Sequence, residues 1–280
     1  MPGQPVPGDY VPEMTDAPLA PAAPAPPKPV PAKTASEASV LGRQLRLNGQ
    51  DGSLRLERSG RDEWRARISL AGTRISRPGE ACTVEPAEAL PVSLRGRPDG
   101  LMRFEIDVPS CPIAASLLDG ALWVREPAGL CQIEASDCRV NPRGVWGPEP
   151  AALVPLARTI ETDRGIADRT VRENYKVMTQ RAAPGEVRPI VSEQASFSAD
   201  RETVCRNYRG EATHGFCNAR FTEGRAAQLA ARLGIAPAPV PTASAVPPGG
   251  AIPPGGPIPP VQRRLAPPAG APMPLGPQAQ

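Results

Sequence analysis

The sequence predicts an α+β protein: a small antiparallel β sandwich or barrel domain, then a helical hairpin or three-helix bundle, with disordered proline-rich tails. Three observations lead there. Apolar residues alternate with period two from about Leu41 to Val124. After Trp146-Gly147-Pro148 the apolar spacing changes to threes, fours and sevens. Prolines crowd the ends: of 39, 11 lie between Pro2 and Pro31 and 15 between Pro237 and Pro277.

Proline fixes φ and lacks a backbone donor, so such stretches build neither ladders nor helix interiors. With few large apolar groups, they bury too little surface to offset the entropy of ordering. Residues 1–38 and 235–280 are therefore expected to be disordered or polyproline-like. Between them the pattern divides into a β-rich domain over 39–130, a junction over 131–150 and a helical domain over 151–234.

Within the first part, Leu45 and Leu47, then Leu54 and Leu56, flank a Gly-rich turn and predict a hairpin. Trp64, Ala66, Ile68 and Leu70 alternate with polar neighbours as a half-buried strand. Val92 and Leu94, and then Met102, Phe104 and Ile106, follow the same rule. Leu122 and Val124 are expected to form the last strand. At the junction, Trp146 is expected to cap the sheet against the first helix.

In the second part, Leu153, Leu156, Ile160, Ala167, Val171, Tyr175 and Met178 make an amphipathic stripe ending before Pro184-Gly185. A second helix is predicted from Pro189, in its first turn, to Asn207. A third runs from Cys217 to Leu233, where Gly234 stops it. Short connections make neighbouring helices antiparallel.

Six cysteines, an even number in a modest folded core, point to disulfides in an oxidising compartment. No C-x-x-C pair occurs, and His214 is the one histidine, so the spacing does not suit a metal. Six cysteines allow fifteen pairings. The candidates are Cys82–Cys111 across the meander, Cys131–Cys138 as a local loop, and Cys205–Cys217, where one helix ends and the next begins. The expected location is periplasmic or secreted, although Met1–Val11 shows no secretory signal; the alternative is cytoplasmic.

The net charge of +3 is interleaved with acids and aromatics are few, which argues against nucleic acid. No run of about twenty apolar residues suggests a membrane span. Phosphate-loop, dinucleotide and H-E-x-x-H motifs are missing from the sequence, so no cofactor or metal is expected. A lone loop histidine and scattered helical carboxylates give no catalytic constellation, and the expectation is a protein without enzymatic activity.

One constellation is specific. It reads Gln194-x-x-Phe197-x-x-x-Arg201-Glu202-x-x-Cys205, then Cys217-x-x-x-x-Thr222-x-x-Arg225-Ala226-x-x-Leu229. Residues 158–233 resemble the LprI-type lysozyme-inhibitor family, whose pattern is Q-x-x-W-x-x-x-R-D-x-x-C, a variable loop, then C-x-x-x-x-T-x-x-R-A-x-x-L. Phe197 stands where the family has Trp, and Glu202 where it has Asp. The early cysteine of the family has no counterpart near Arg164. The resemblance implies a helical envelope domain that binds a protein partner, a lysozyme-type enzyme or a cell-wall component.

Read from their own chemistry, Gln194, Phe197, Arg201, Glu202, Thr222 and Arg225 are expected to be structural, with arginine stems spanning the helix seam. The loop from Arg206 to Gly215 is the candidate binding surface, through Tyr208, Arg209 and His214. Two rival readings remain: a structural or adaptor envelope protein tethered through its tails, and an enzyme of unrecognised chemistry.

Overall fold

A computed structural model describes residues 27–60 and 63–236. The tail expectations for 1–26 and 237–280 lie outside the described residues. Eleven strands form among them: β1 (Gln44–Leu47), β2 (Asp51–Ser59), β3 (Glu63–Arg74), β4 (Ala81–Val84), β5 (Leu90–Leu94), β6 (Arg103–Ile106), β7 (Ile113–Leu118), β8 (Ala121–Glu126), β9 (Cys131–Ile133), β10 (Cys138–Val140) and β11 (Gly144–Gly147). Eight of them close an antiparallel barrel in the order β1-β2-β3-β5-β6-β7-β8-β11, with β11 returning to β1. The inner half of β3 pairs with β2 and β5. Its outer half leaves the barrel and pairs with β4 and β10, and β10 also pairs with β9.

An eight-stranded barrel has an interior that side chains can fill. Here Leu54 and Leu56 of β2 and Trp64 and Ala66 of β3 point inward, while Arg55 and Glu57 stay on the outside. Trp64 meets Phe104 edge-on, with ring centroids 5.5 Å apart. Trp146 is fully buried in this core and donates from Nε1 to the Pro142 carbonyl at 2.9 Å. It does not cap the sheet against a helix: strand alternation turns its ring into the barrel and sends Val145 and Gly147 toward the helices.

The sheet does not end at Val124. Residues 131–133, 138–140 and 144–147 are strands, so most of the expected junction belongs to the β layer. β7 and β11 showed no clean alternation because both of their faces are covered. Leu117 points into the barrel while Leu118 meets the helical layer, and Val145 and Trp146 divide the same way.

The helical part contains α1 (Pro150–Leu153), α2 (Ala157–Arg181), α3 (Pro184–Cys205), α4 (Glu211–His214) and α5 (Phe216–Arg232). α5 is buried along most of its length. Its small residues Ala219, Ala226, Ala227 and Ala230 admit close neighbours, α2 on one side and the barrel wall on the other. α2 presents Ile160, Ala167, Val171 and Met178 inward, as its stripe predicts. Leu156 departs from the stripe and is half exposed, because Val154–Leu156 forms a 3-10 turn around Pro155 before α2 begins. α3 starts at Pro184, five residues before Pro189. Pro189 thus lies inside the helix on its solvent side, where its missing donor exposes one carbonyl to water.

Three disulfides form: Cys82–Cys138, Cys111–Cys131 and Cys205–Cys217. The third is the pair expected. The candidates Cys82–Cys111 and Cys131–Cys138 are corrected by register. In the β9–β10 hairpin Cys131 faces Val140 and Cys138 faces Ile133, so neighbours in sequence are not partners in space. Cys138 instead reaches β4 around the outer half of β3. There Gly72 permits the approach, since a Cβ would stand 2.2 Å from the Arg139 carbonyl oxygen.

Residues 27–38 are not a tail. Val30–Lys33 runs extended against α2 and α5, and Ser36 caps a short 3-10 turn, Glu37–Ser39. At the other end, Ile235 packs on the helical core.

Candidate functional site

The segment from Arg206 to Gly215 lies between the two cysteines that close it, and the barrel holds it from below. The Arg209 N–H donates to the Asn48 carbonyl at 2.9 Å, and Tyr208 Oη donates to the Pro148 carbonyl at 2.6 Å. Gly147 makes room for that phenol: a Cβ there would sit 2.6 Å from Tyr208 Oη and 2.9 Å from the Phe216 ring. Burial pushes the Tyr208 phenol far above its ordinary pKa, so it stays a donor.

Glu211 closes the loop at its other end. Its carboxylate accepts from the N–H groups of Cys217 and Asn218, both at 2.9 Å, and so caps α5. His214 accepts at Nδ1 from the Phe216 N–H (3.1 Å), which leaves Nε2 to donate to the Arg209 carbonyl (3.0 Å).

Two of the three expected binding residues are therefore interior. Tyr208 and His214 are each 2% exposed, with their polar atoms committed to the backbone. A polar loop this short must satisfy its own donors and acceptors, and these two side chains do so. Of the three, only Arg209 faces solvent, with its guanidinium 3.4 Å from Gln50 Oε1.

Sequence reasoning missed the neighbouring surface. Val154, Pro155 and Leu156 are exposed beside α4, an apolar turn on a polar edge. Next to them an open cleft of about 700 Å³ lies between the first turns of α2 and the loop, lined by Arg158, Glu161, Arg164, Thr213 and Asn218. Leu156 was hidden in the apparent helix stripe. The usable signal was Pro155, which prevents the preceding turn from joining α2 smoothly.

The expected structural motif comes together as one layer between α3 and α5. Arg201 Nη1 donates to Thr222 Oγ1 at 2.9 Å, and Arg225 Nε donates to Gln194 Oε1 at 3.0 Å. The Phe197 ring is approached by both guanidiniums, Arg201 at 5.8 Å and Arg225 at 5.4 Å. Glu202 stands apart, exposed, 3.6 Å from Arg206.

This layer is mostly polar, and within α3 only Ile190 and Cys205 are buried. Glu193 latches the helix by accepting from Arg225 and Arg232. Burial raises its carboxyl pKa, but these hydrogen bonds outweigh burial and hold it below the ordinary 4.5. A depressed carboxyl contributes stability that is present above its ordinary pKa and lost as pH falls through the folded value. Acidification from about pH 4.5 downward therefore loosens α3. Amide exchange in α3, corrected for its intrinsic pH dependence, will accelerate over that window, and Glu193→Gln will remove the dependence. An α3 equally protected at pH 3 and pH 6 contradicts this.

Among the described residues, no helix is long and apolar enough to cross a membrane, and no cluster of His, Cys, Asp and Glu could hold a metal. The molecule is a disulfide-stapled β-barrel with a helical flank, and the barrel braces one loop of that flank. Comparison with family models, curated proteins and solved structures finds no match.

Proposed function

We propose that the protein is a non-enzymatic cell-envelope binding protein, periplasmic or secreted, that occludes the cleft of a lysozyme-type muramidase. The observation that carries this reading is the solvent-facing Arg209 on a loop fixed by Cys205–Cys217 and by the barrel. A pre-organised edge loses little entropy on binding. Muramidase clefts hold paired carboxylates, which a cationic edge complements. Val154 and Leu156 supply apolar area beside it. The LprI-like spacing of α3 and α5 supports the same reading, and the three disulfides fit an oxidising compartment.

The test is a titration of a lysozyme-type muramidase with the oxidised protein. The wild type inhibits, Arg209→Ala weakens inhibition at least about tenfold, and Leu156→Glu weakens it similarly. Absence of inhibition by the wild type, or inhibition indifferent to both substitutions, overturns the proposal. Binding to peptidoglycan without inhibition would favour the adaptor reading instead.

A further inference from the structure

Val30–Lys33 occupies a groove whose polar groups match an extended backbone. Asn174 of α2 is fully buried, and its amide makes two bonds with one residue. The Val30 N–H donates to Asn174 Oδ1 at 2.8 Å, and Asn174 Nδ2 donates to the Val30 carbonyl at 2.9 Å. This is the pairing a strand edge would offer, and it reads main chain rather than side chain.

Pro29 and Pro31 flank the read residue. Neither brings an N–H that the groove would have to satisfy, and both favour the extended form before binding. Ala32 is 2% exposed, and Lys33 Nζ reaches Asp119 Oδ2 at 2.9 Å. Beside Ala32 the groove continues as a half-open pocket of about 100 Å³, lined by Ile166, Thr170, Glu223 and Ala226. Glu223 is nine-tenths buried, and its Oε2 has no hydrogen-bond partner among the described residues. The groove thus extends beyond its present occupant, with the Glu223 carboxylate, paired through Oε1 to Arg220, on its wall.

We infer that the groove between α2 and α5 is a peptide-binding site for an extended, proline-flanked segment bearing a lysine, filled here in cis by residues 30–33. Asn174 fixes the backbone, and Asp119 selects the lysine. The chain's own segment acts as a tethered competitor that a proline-rich segment of the same chemistry replaces.

The test titrates the full-length chain with a fluorescent peptide of residues 27–36. Lys33→Glu in the chain sets a carboxylate against Asp119 and weakens the tethered competitor. Lys33 is more than half exposed, so the core is untouched. The Lys33→Glu chain is expected to bind the wild-type peptide at least tenfold more tightly than the wild-type chain does. Adding Asn174→Ala to that chain, or changing Lys33 of the peptide to glutamate with Lys28 kept, is expected to lose at least tenfold.

Peptide binding no better in Lys33→Glu than in wild type, or indifferent to Asn174 and to Lys33 of the peptide, overturns the inference. Hydrogen exchange of the unaltered protein gives an independent reading. The Val30 amide is expected to exchange at least a hundredfold more slowly than in the free peptide, and exchange at the free-peptide rate overturns the inference.

Discussion

Replacing Cys82 and Cys138 together by serine lowers the unfolding free energy by about 4 kcal/mol, the largest effect expected of any of the three disulfides. The chain-entropy account makes the gain grow with the loop closed. The sequence separations are 56 for Cys82–Cys138, 20 for Cys111–Cys131 and 12 for Cys205–Cys217. The Cys111–Cys131 bond lies inside the Cys82–Cys138 loop and shortens it, but only enough to remove a few tenths of a kcal/mol.

The bond is also local glue. β10 is three residues long, and with β9 it hangs from the outer half of β3. Without the bond the β9–β10 hairpin peels from β3, and protease cutting between 127 and 143 rises before the barrel opens. Urea unfolding under non-reducing conditions measures the total. A loss below about 1 kcal/mol would show that β3–β10 pairing holds the hairpin unaided.

Trp146→Ala is expected to cost about 3 to 5 kcal/mol, the range for an aromatic removed from a packed core. Trp146 fills the barrel next to the β1–β2 turn, and its Nε1–H satisfies the Pro142 carbonyl. Removing the ring leaves a void and orphans that carbonyl, which adds about 1 kcal/mol or more. The effect reaches the candidate site, since Gly147, the next residue, receives Tyr208 and Phe216. Trp146→Phe keeps most of the volume and loses the donor, so its cost separates the hydrogen bond from the packing. A thermal midpoint unchanged by Trp146→Ala contradicts the placement of this ring.

Where burial is one-sided, the sequence shows it. β2, β3 and β6 carry strict alternation because one face is the barrel core and the other is water. β7 lies under α5, and β11 lies under α3 and the Tyr208–Phe216 segment, so both strands are covered twice and show no period. The short strands β9 and β10 offer too few residues for any period to emerge.

The site divides in the same way. Cys205–Cys217 and the α3–α5 motif were legible because fixed spacing along two helices becomes contact across them. Tyr208 and His214 looked like surface residues because a loop composition does not reveal that the barrel lies beneath it. Residues 27–36 looked like tail for a similar reason. Their order comes from Asn174 and Asp119, about 144 and 86 residues away, and no local pattern carries that.

Three specific disulfides staple the protein, two within the β layer and one between α3 and α5. A non-reducing mass map of the protein from its native source tests this directly. Linked peptides for Cys82–Cys138, Cys111–Cys131 and Cys205–Cys217 and no free thiol are expected; peptides joining Cys82 to Cys111 or Cys131 to Cys138, or cysteines recovered reduced, would overturn this pairing.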